Sequence, residues 1–162
     1  ITGGEPTLTS NLEEIIDKIK EMGYLVKLDS NGTKPDLLKH LIDAKKVDYI
    51  AMDIKSSYKN YCKVAGISNN LLIDKVKESV ELLKNSGIDY EFRTTLVKEL
   101  HDIDDIYGIG EIIKGAKRFY FQKFTDHGYC IEDNFHEVEI DVANKYLEII
   151  KKYCENANLR GY

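Results

Sequence analysis

The sequence has no apolar run long enough to cross a membrane. Its longest runs, such as Tyr49-Ile50-Ala51-Met52, are a few residues, against the roughly 20 a spanning helix needs. The first residues do not read as a signal peptide. It has no tryptophan. Its 11 tyrosines are read mostly at core-facing positions of helices and strands, so they make no stacking surface for nucleic acid. Excess basic charge is also lacking. The 23 Lys and Arg against 28 Asp and Glu give a net charge of −5, and nearly all the basic residues are lysine. This argues against a nucleic-acid partner. Cysteine is scarce: Cys62, Cys130 and Cys154 are an odd number at wide spacing. They form no disulfide framework, suit a reducing cytoplasmic compartment, and read as packing or surface thiols. The histidines His40, His101, His127 and His136 show no metal-ligand spacing and read as surface or loop residues.

What is present suits one domain spanning residues 1–162. The chain is 43% apolar and 31% charged, which excludes a disordered tail or a collagen-like fibre. A chain this long buries about 70% of the surface its unfolded form exposes. Ser10 and Glu13 have the spacing of a capping box, followed by Leu12, Ile15, Ile16, Ile19 and Met22 at helical period and by Gly23 as a stop. Pro35 opens a second helix through Leu37, Leu38, Leu41 and Ile42. A third carries Ile73, Val76, Val80 and Leu83 and stops at Gly87. A fourth carries Ile106, Ile109, Ile112 and Ile113 and stops at Gly115. Asp141 caps a fifth with Val142, Tyr146, Ile149, Ile150 and Tyr153 inward.

Between the helices lie runs rich in β-branched and aromatic residues: Tyr24–Leu28, Val47–Ile54, Tyr90–Leu96 and Arg118–Phe124. No dipeptide hairpin turn joins any two of them. Alternating helix and strand imply parallel strands with helical crossovers. Each strand ends in polar residues: Asp29-Ser30-Asn31-Gly32-Thr33, then Asp53 and Lys55, then Arg93-Thr94-Thr95, then Gln122-Lys123. In parallel α/β folds ligands sit beyond the carboxyl ends of strands, so four such ends point to one shared site. Ordinary turn chemistry is the alternative, since Asp, Asn, Ser and Gly favour turns anyway. Ahead of the first strand stands Thr2-Gly3-Gly4-Glu5-Pro6-Thr7. Its glycines let backbone approach a ligand closely, and Glu5 is an acceptor suited to an ammonium group.

Gly3-Gly4-Glu5-Pro6, Asp29-Ser30-Asn31-Gly32-Thr33, Met52-Asp53-Ile54-Lys55 and Phe92-Arg93-Thr94-Thr95, in this order, resemble the radical S-adenosylmethionine (SAM) enzymes. Within them the chain resembles the activating proteins of glycyl radical enzymes, and most of all those of anaerobic ribonucleoside-triphosphate reductase. The resemblance runs from Ile1 to about Phe124 and implies an α/β partial (βα) barrel, with its first βα unit and most of its second strand missing. It implies SAM as cofactor, held by Gly3, Gly4 and Glu5 at the methionine amino group and by Asp29 and Asn31 at the methionine end. Lys55 and Arg93 match positions facing the SAM carboxylate, Asp53 stands on the same rim, and Gln122 lies toward the adenosine. The implied chemistry is reductive SAM cleavage to a 5′-deoxyadenosyl radical, which takes a hydrogen atom from a glycine of the partner enzyme. The implied partners are that glycyl radical enzyme and an electron donor such as flavodoxin or ferredoxin. Pyruvate formate-lyase is an alternative target. A SAM enzyme acting on a small molecule and a non-catalytic, partner-docking barrel piece are further alternatives.

The family holds a 4Fe–4S cluster in a CxxxCxxC loop. This sequence has none, and a cluster needs several thiolates converging in one short loop. The expectation is that the loop lies upstream of Ile1, that this chain alone holds no cluster and is inactive, and that its open sheet edge promotes self-association. Asp29 and Asp53, on neighbouring strands, are expected to form one coupled site with Lys55, with the SAM ammonium or a monovalent cation supplying further positive charge. The polar segment Thr125–Glu139 reads as a solvated loop, with contact to a partner enzyme as the alternative.

Overall fold

A computed structural model describes residues 1–66, 71–126 and 134–162. Cys130, His127, Glu132 and Asp133 lie outside the described residues. Five strands are present among them: β1 (Lys27–Ser30), β2 (Tyr49–Asp53), β3 (Asp89–Leu96), β4 (Phe119–Lys123) and β5 (Ala157–Arg160). The helices are α1 (Leu12–Glu21), α2 (Pro35–Asp43), α3 (Tyr61–Ala65), α4 (Leu71–Asn85), α5 (Ile103–Ile113) and α6 (Ile140–Ile150). The strands follow the sheet order β1-β2-β3-β4-β5, and β1–β2, β3–β4 and β4–β5 pair in parallel. This is the α/β architecture of parallel strands and helical crossovers that the helix-strand rhythm predicts.

The chain forms two compact units. The first comprises residues 1–53 and 69–91, the second residues 54–68 and 92–162. In the first, Leu28, Ile50 and Met52 are fully buried, together with Ile16, Leu38, Leu41, Val76 and Leu83 from the helices. In the second, Phe92, Phe119 and Phe121 are fully buried with Ile106, Ile109, Ile113 and Ile150. Phe119 and Phe121 meet edge to face at 4.9 Å, a geometry that aromatic quadrupoles favour.

The structure corrects several sequence expectations. Tyr24 and Leu25 are not strand; they are 65% and 81% exposed, and β1 begins at Lys27. The cause is Asp48. Its carboxylate takes the Val26 amide at 2.6 Å and the Lys20 ammonium at 2.6 Å. The Val26 carbonyl accepts from the Asp48 and Tyr49 amides, so regular pairing starts one residue later. The Ser10–Glu13 capping box does not form: Asn11 precedes α1 and makes no side-chain cap. Ile15 and Met22 are exposed, and the buried stripe of α1 narrows to Leu12 and Ile16. Likewise Glu139, not Asp141, precedes α6, and it makes no side-chain cap. Finally β5 and the short α3 were not foreseen. Both are near the minimum length at which periodicity is readable.

Ile1 lies along the outer side of β1. Its amino group donates to the Lys27 carbonyl at 2.6 Å, and its carbonyl accepts from the Asp29 amide at 3.0 Å, the alternation of a parallel ladder.

Gly32 is the most crowded of the first unit's glycines. Its φ is +75°, and a Cβ there would stand 2.0 Å from Met52 Cε. Gly23 has φ +83° and open space around it. We expect Gly32→Ala to cost about 1–3 kcal/mol from overpacking plus backbone strain, and Gly23→Ala about 1 kcal/mol from strain alone. Paired urea melts measure both; equal losses would show that crowding at Met52 does not matter.

Candidate functional site

Strand pleating places every second side chain on one face. Parallel sheets covered on both faces read as continuous apolar runs, as Ile50-Ala51-Met52 of β2 does, but β1 and β4 alternate. In the first unit the register Lys27↔Tyr49 and Asp29↔Ala51 puts Lys27, Asp29, Tyr49 and Asp53 on the same face, opposite buried Leu28, Ile50 and Met52. In the second unit Arg93↔Tyr120↔Asn158 and Thr95↔Gln122↔Arg160 form an equivalent polar face, opposite Phe92, Phe119 and Phe121. The Arg160 guanidinium lies 3.8 Å from the Tyr120 ring centroid. The polar residues therefore line strand faces as well as strand ends. Arg160, Asn158, Tyr120 and Lys27 belong to these faces and were missed. Their signal was the alternation of Lys27-Leu28-Asp29, of residues 119–122 and of residues 157–160.

Among the nine sequence-predicted residues, Gly3, Gly4, Glu5, Asp29, Asn31 and Asp53 belong to the first unit and Lys55, Arg93 and Gln122 to the second. In the first unit Glu5 is the fastener. Its Oε2 accepts the Asn31 amide at 2.6 Å, while its Oε1 accepts the Thr7 amide at 3.1 Å and the Thr7 hydroxyl at 2.6 Å. The carboxylate thus ties the Gly3-Gly4 loop to the turn that ends β1. A carboxylate offers about four acceptor directions, so Oε2 keeps capacity for a further donor. Asn31 builds the turn itself: Oδ1 accepts the Thr33 amide at 3.0 Å and hydroxyl at 2.7 Å. Ser30 Oγ accepts the Gly32 amide at 3.0 Å, and Ser79 Oγ donates to the Gly32 carbonyl at 2.7 Å. Gly3 and Gly4 have φ of +104° and +52°, and a Cβ at either would meet nothing within 4 Å. Positive φ with open space beside it is what close approach of a ligand to backbone requires.

Within the first unit Lys27 stands beside Asp29, with Nζ 3.7 Å from Asp29 Oδ1 and 3.9 Å from Glu91 Oε1. Glu91 is buried and also accepts the Tyr49 hydroxyl at 2.9 Å. Lys27 precedes Asp29 by two residues on one strand, the same spacing argument that singled out Lys55.

In the second unit the segment after β2 is pinned at several points. The Ile54 amide donates to the Arg93 carbonyl at 2.8 Å, and the Thr94 hydroxyl donates to the Ile54 carbonyl at 2.7 Å. Ser56, Ser57 and Asn60 all donate to buried Asp105, at 2.9, 2.6 and 3.0 Å. Gly108, one turn along α5, makes room: a Cβ there would stand 2.4 Å from Ser57 Cβ. A cavity of about 350 Å³ adjoins this junction, lined by Tyr58, Lys59, Asp102, Asp104 and Glu111 among others. His101 is buried, contrary to the surface reading, and spans the Lys55 carbonyl at 2.9 Å and the Val97 amide at 3.1 Å. His40 and His136 are exposed as expected and face Glu13 and Glu99. The tyrosines are less uniformly internal than expected: Tyr61 and Tyr90 are buried, whereas Tyr24, Tyr107 and Tyr162 are exposed.

Among the described residues no three His, Cys, Asp or Glu side chains could hold a metal ion together. Cys154 is buried and donates to the Ala116 carbonyl at 3.3 Å, and Cys62 is half-buried. Burial pushes the Cys154 thiol up, away from the thiolate a metal needs. These residues do not fit an iron–sulfur cluster. Within the first unit the open Gly3-Gly4 backbone and the Glu5 carboxylate offer acceptors that suit an ammonium group.

The radical SAM superfamily model matches residues 1–107. A Methanocaldococcus jannaschii protein named as a glycyl-radical enzyme activating enzyme is 32% identical over 99% of this chain and 69% of its own length. A second so named from the same organism is 28% identical, over 98% and 61% respectively. A crystal structure of a domain of pyruvate-formate lyase-activating enzyme from Bacteroides vulgatus superposes with a TM-score of 0.76, at 16% identity, over 99% of this chain and 97% of that one. The chain therefore belongs to the radical SAM superfamily, among the glycyl-radical enzyme activating enzymes. It spans about two thirds of the length of these two curated relatives.

Asp105 gives a pH-dependent prediction. Burial alone would raise its carboxyl, but hydrogen bonds from Ser57, Asn60, Ser56 and the Asp102 backbone outweigh burial and hold it below the usual carboxylate range. A depressed folded value contributes stability that is complete above the unfolded value of about 4 and lost as pH falls through the folded one. Asp105→Asn should destabilise by about 1–3 kcal/mol at pH 7, with the gap to the native protein closing below about pH 4. Denaturant titrations at pH 7 and pH 3 test this; a gap independent of pH would contradict it.

Proposed function

We propose that the protein activates a glycyl radical enzyme, using SAM, and that its target is anaerobic ribonucleoside-triphosphate reductase. Support comes from the relative that is 32% identical over nearly the whole chain, together with the open Gly3-Gly4 loop fastened by Glu5 to the end of β1. Gly3, Gly4 and Glu5 take the SAM amino group. Asp29, Asn31 and Asp53 hold the methionine end. Lys55 and Arg93 face its carboxylate, and Gln122 lies toward the adenosine. Bound SAM supplies the radical that takes the glycine hydrogen. The residues of this chain bind and orient it and carry no electron themselves. Flavodoxin or ferredoxin serves as electron donor.

The test uses the full protein, a chemical reductant and SAM, mixed anaerobically with each of two candidate targets. A glycyl radical signal by electron paramagnetic resonance is expected on the ribonucleotide reductase and not on pyruvate formate-lyase. A signal on the lyase alone moves the target; silence on both overturns the activation reading.

Asp29 and Asp53 share one face of the β1–β2 pair in this reading and act on the same charged end of SAM. Asp29→Asn and Asp53→Asn should each weaken SAM binding about tenfold, the scale of one hydrogen bond to a charged group. The double variant should lose less than the product. Isothermal titration decides: fully multiplicative losses would separate the two carboxylates into different sites.

A further inference from the structure

Lys55 is the second residue beyond β2, which ends at Asp53. Neighbouring side chains bear on its backbone. One of them is His101, 4% exposed, just ahead of α5. Its Nε2 stands 2.9 Å from the Lys55 carbonyl oxygen. A carbonyl only accepts, so Nε2 carries the proton. Its Nδ1 stands 3.1 Å from the Val97 amide nitrogen and 3.2 Å from the Val97 carbonyl oxygen. That carbonyl already accepts the Leu100 and His101 amides, both at 3.1 Å. Nδ1 is thus the unprotonated acceptor of the Val97 amide, and the ring is neutral with a defined tautomer. The ring bridges the turn after β3 to the second residue after β2, and each of its nitrogens is committed to backbone. The Ile54 carbonyl, one residue earlier, is held by Thr94, and Ser56, one residue later, by Asp105. Lys55 is thereby clamped on both sides and at its own carbonyl.

We propose that His101 is a positioning residue for SAM binding: by donating from Nε2 to the Lys55 carbonyl, it sets the direction in which the Lys55 ammonium leaves the backbone. This rests on the reading of Lys55 as a partner of the SAM carboxylate. His101 touches no ligand itself. It acts through one peptide group, and small displacements of a charge-bearing side chain translate into large losses of affinity. Glutamine retains a donor at the position of Nε2, while leucine fills the space without one.

The experiment uses the full protein with its cluster loaded, SAM as the titrant, and calorimetric affinity as the readout, with thermal melts to confirm folding. His101→Leu should weaken SAM binding about tenfold, and His101→Gln should stay within about twofold of the native protein. Lys55→Ala should weaken binding at least as much as His101→Leu, and adding His101→Leu to Lys55→Ala should cost nothing more. Imidazole nitrogen NMR of the native protein should show Nε2 protonated and Nδ1 bare. Native affinity in Lys55→Ala would overturn the assignment of Lys55, and this inference with it. A loss in Lys55→Ala that multiplies in full with that of His101→Leu, or a Gln variant as weak as Leu, would overturn the role of His101 alone. Should the Leu variant fail to fold, the Gln variant and the tautomer still decide: a protonated Nδ1 with bare Nε2 contradicts the bridge.

Discussion

The two-residue period of the parallel strand governs the rest of this structure. It divides every strand into a face that must be dry and a face that need not be. Leu28, Ile50 and Met52 in the first unit, and Phe92, Phe119 and Phe121 in the second, are fully buried. Their strand neighbours Lys27, Asp29, Tyr49 and Asp53, and Arg93, Tyr120 and Gln122, are polar for the complementary reason. Register then matters as much as composition. A slip of one residue would carry Asp29 into the core and Leu28 out of it.

Carboxylates hold the junctions that the pleat leaves loose. Glu5 takes the Asn31 amide at the end of β1, Asp48 takes the Val26 amide before it, and Asp105 gathers Ser56, Ser57 and Asn60 after β2. Each sits where chain leaves or enters regular pairing and where an amide or hydroxyl would otherwise lack an acceptor. An ionised carboxylate accepts several donors at once and binds them more strongly than a neutral carbonyl does. The Gly3-Gly4 loop can stay open because Glu5 anchors it from the side.

Helices were more legible than strands. Pro35 does open α2, and Gly23, Gly87 and Gly115 do follow helix ends with φ of +83°, +77° and +77°, because proline and glycine act through their own backbone chemistry. Caps that depend on a neighbour failed: Ser10 has the right partner at Glu13 and does not use it. The first strand was misplaced because Tyr24 and Val26 carry β propensity, while the amide of Val26 answers to Asp48, 22 residues away. β5 escaped notice because four residues at the end of a helical segment carry little periodic signal.

The sequence by itself determined the alternation of helix and strand, the parallel topology and the family. The motifs Gly3-Gly4-Glu5-Pro6, Asp29–Thr33, Met52–Lys55 and Phe92–Thr95 are local, and each states its chemistry in residue type and spacing. Tertiary structure alone decided the partners. Lys27 stands beside Asp29, Glu5 meets the Asn31 amide, and His101 is buried against the Lys55 carbonyl. These pairings join residues across the register and across crossover helices. Where a strand ends decides which side chains can become neighbours. A strand ends where its hydrogen-bonding partner does, and that partner is supplied from elsewhere in the chain.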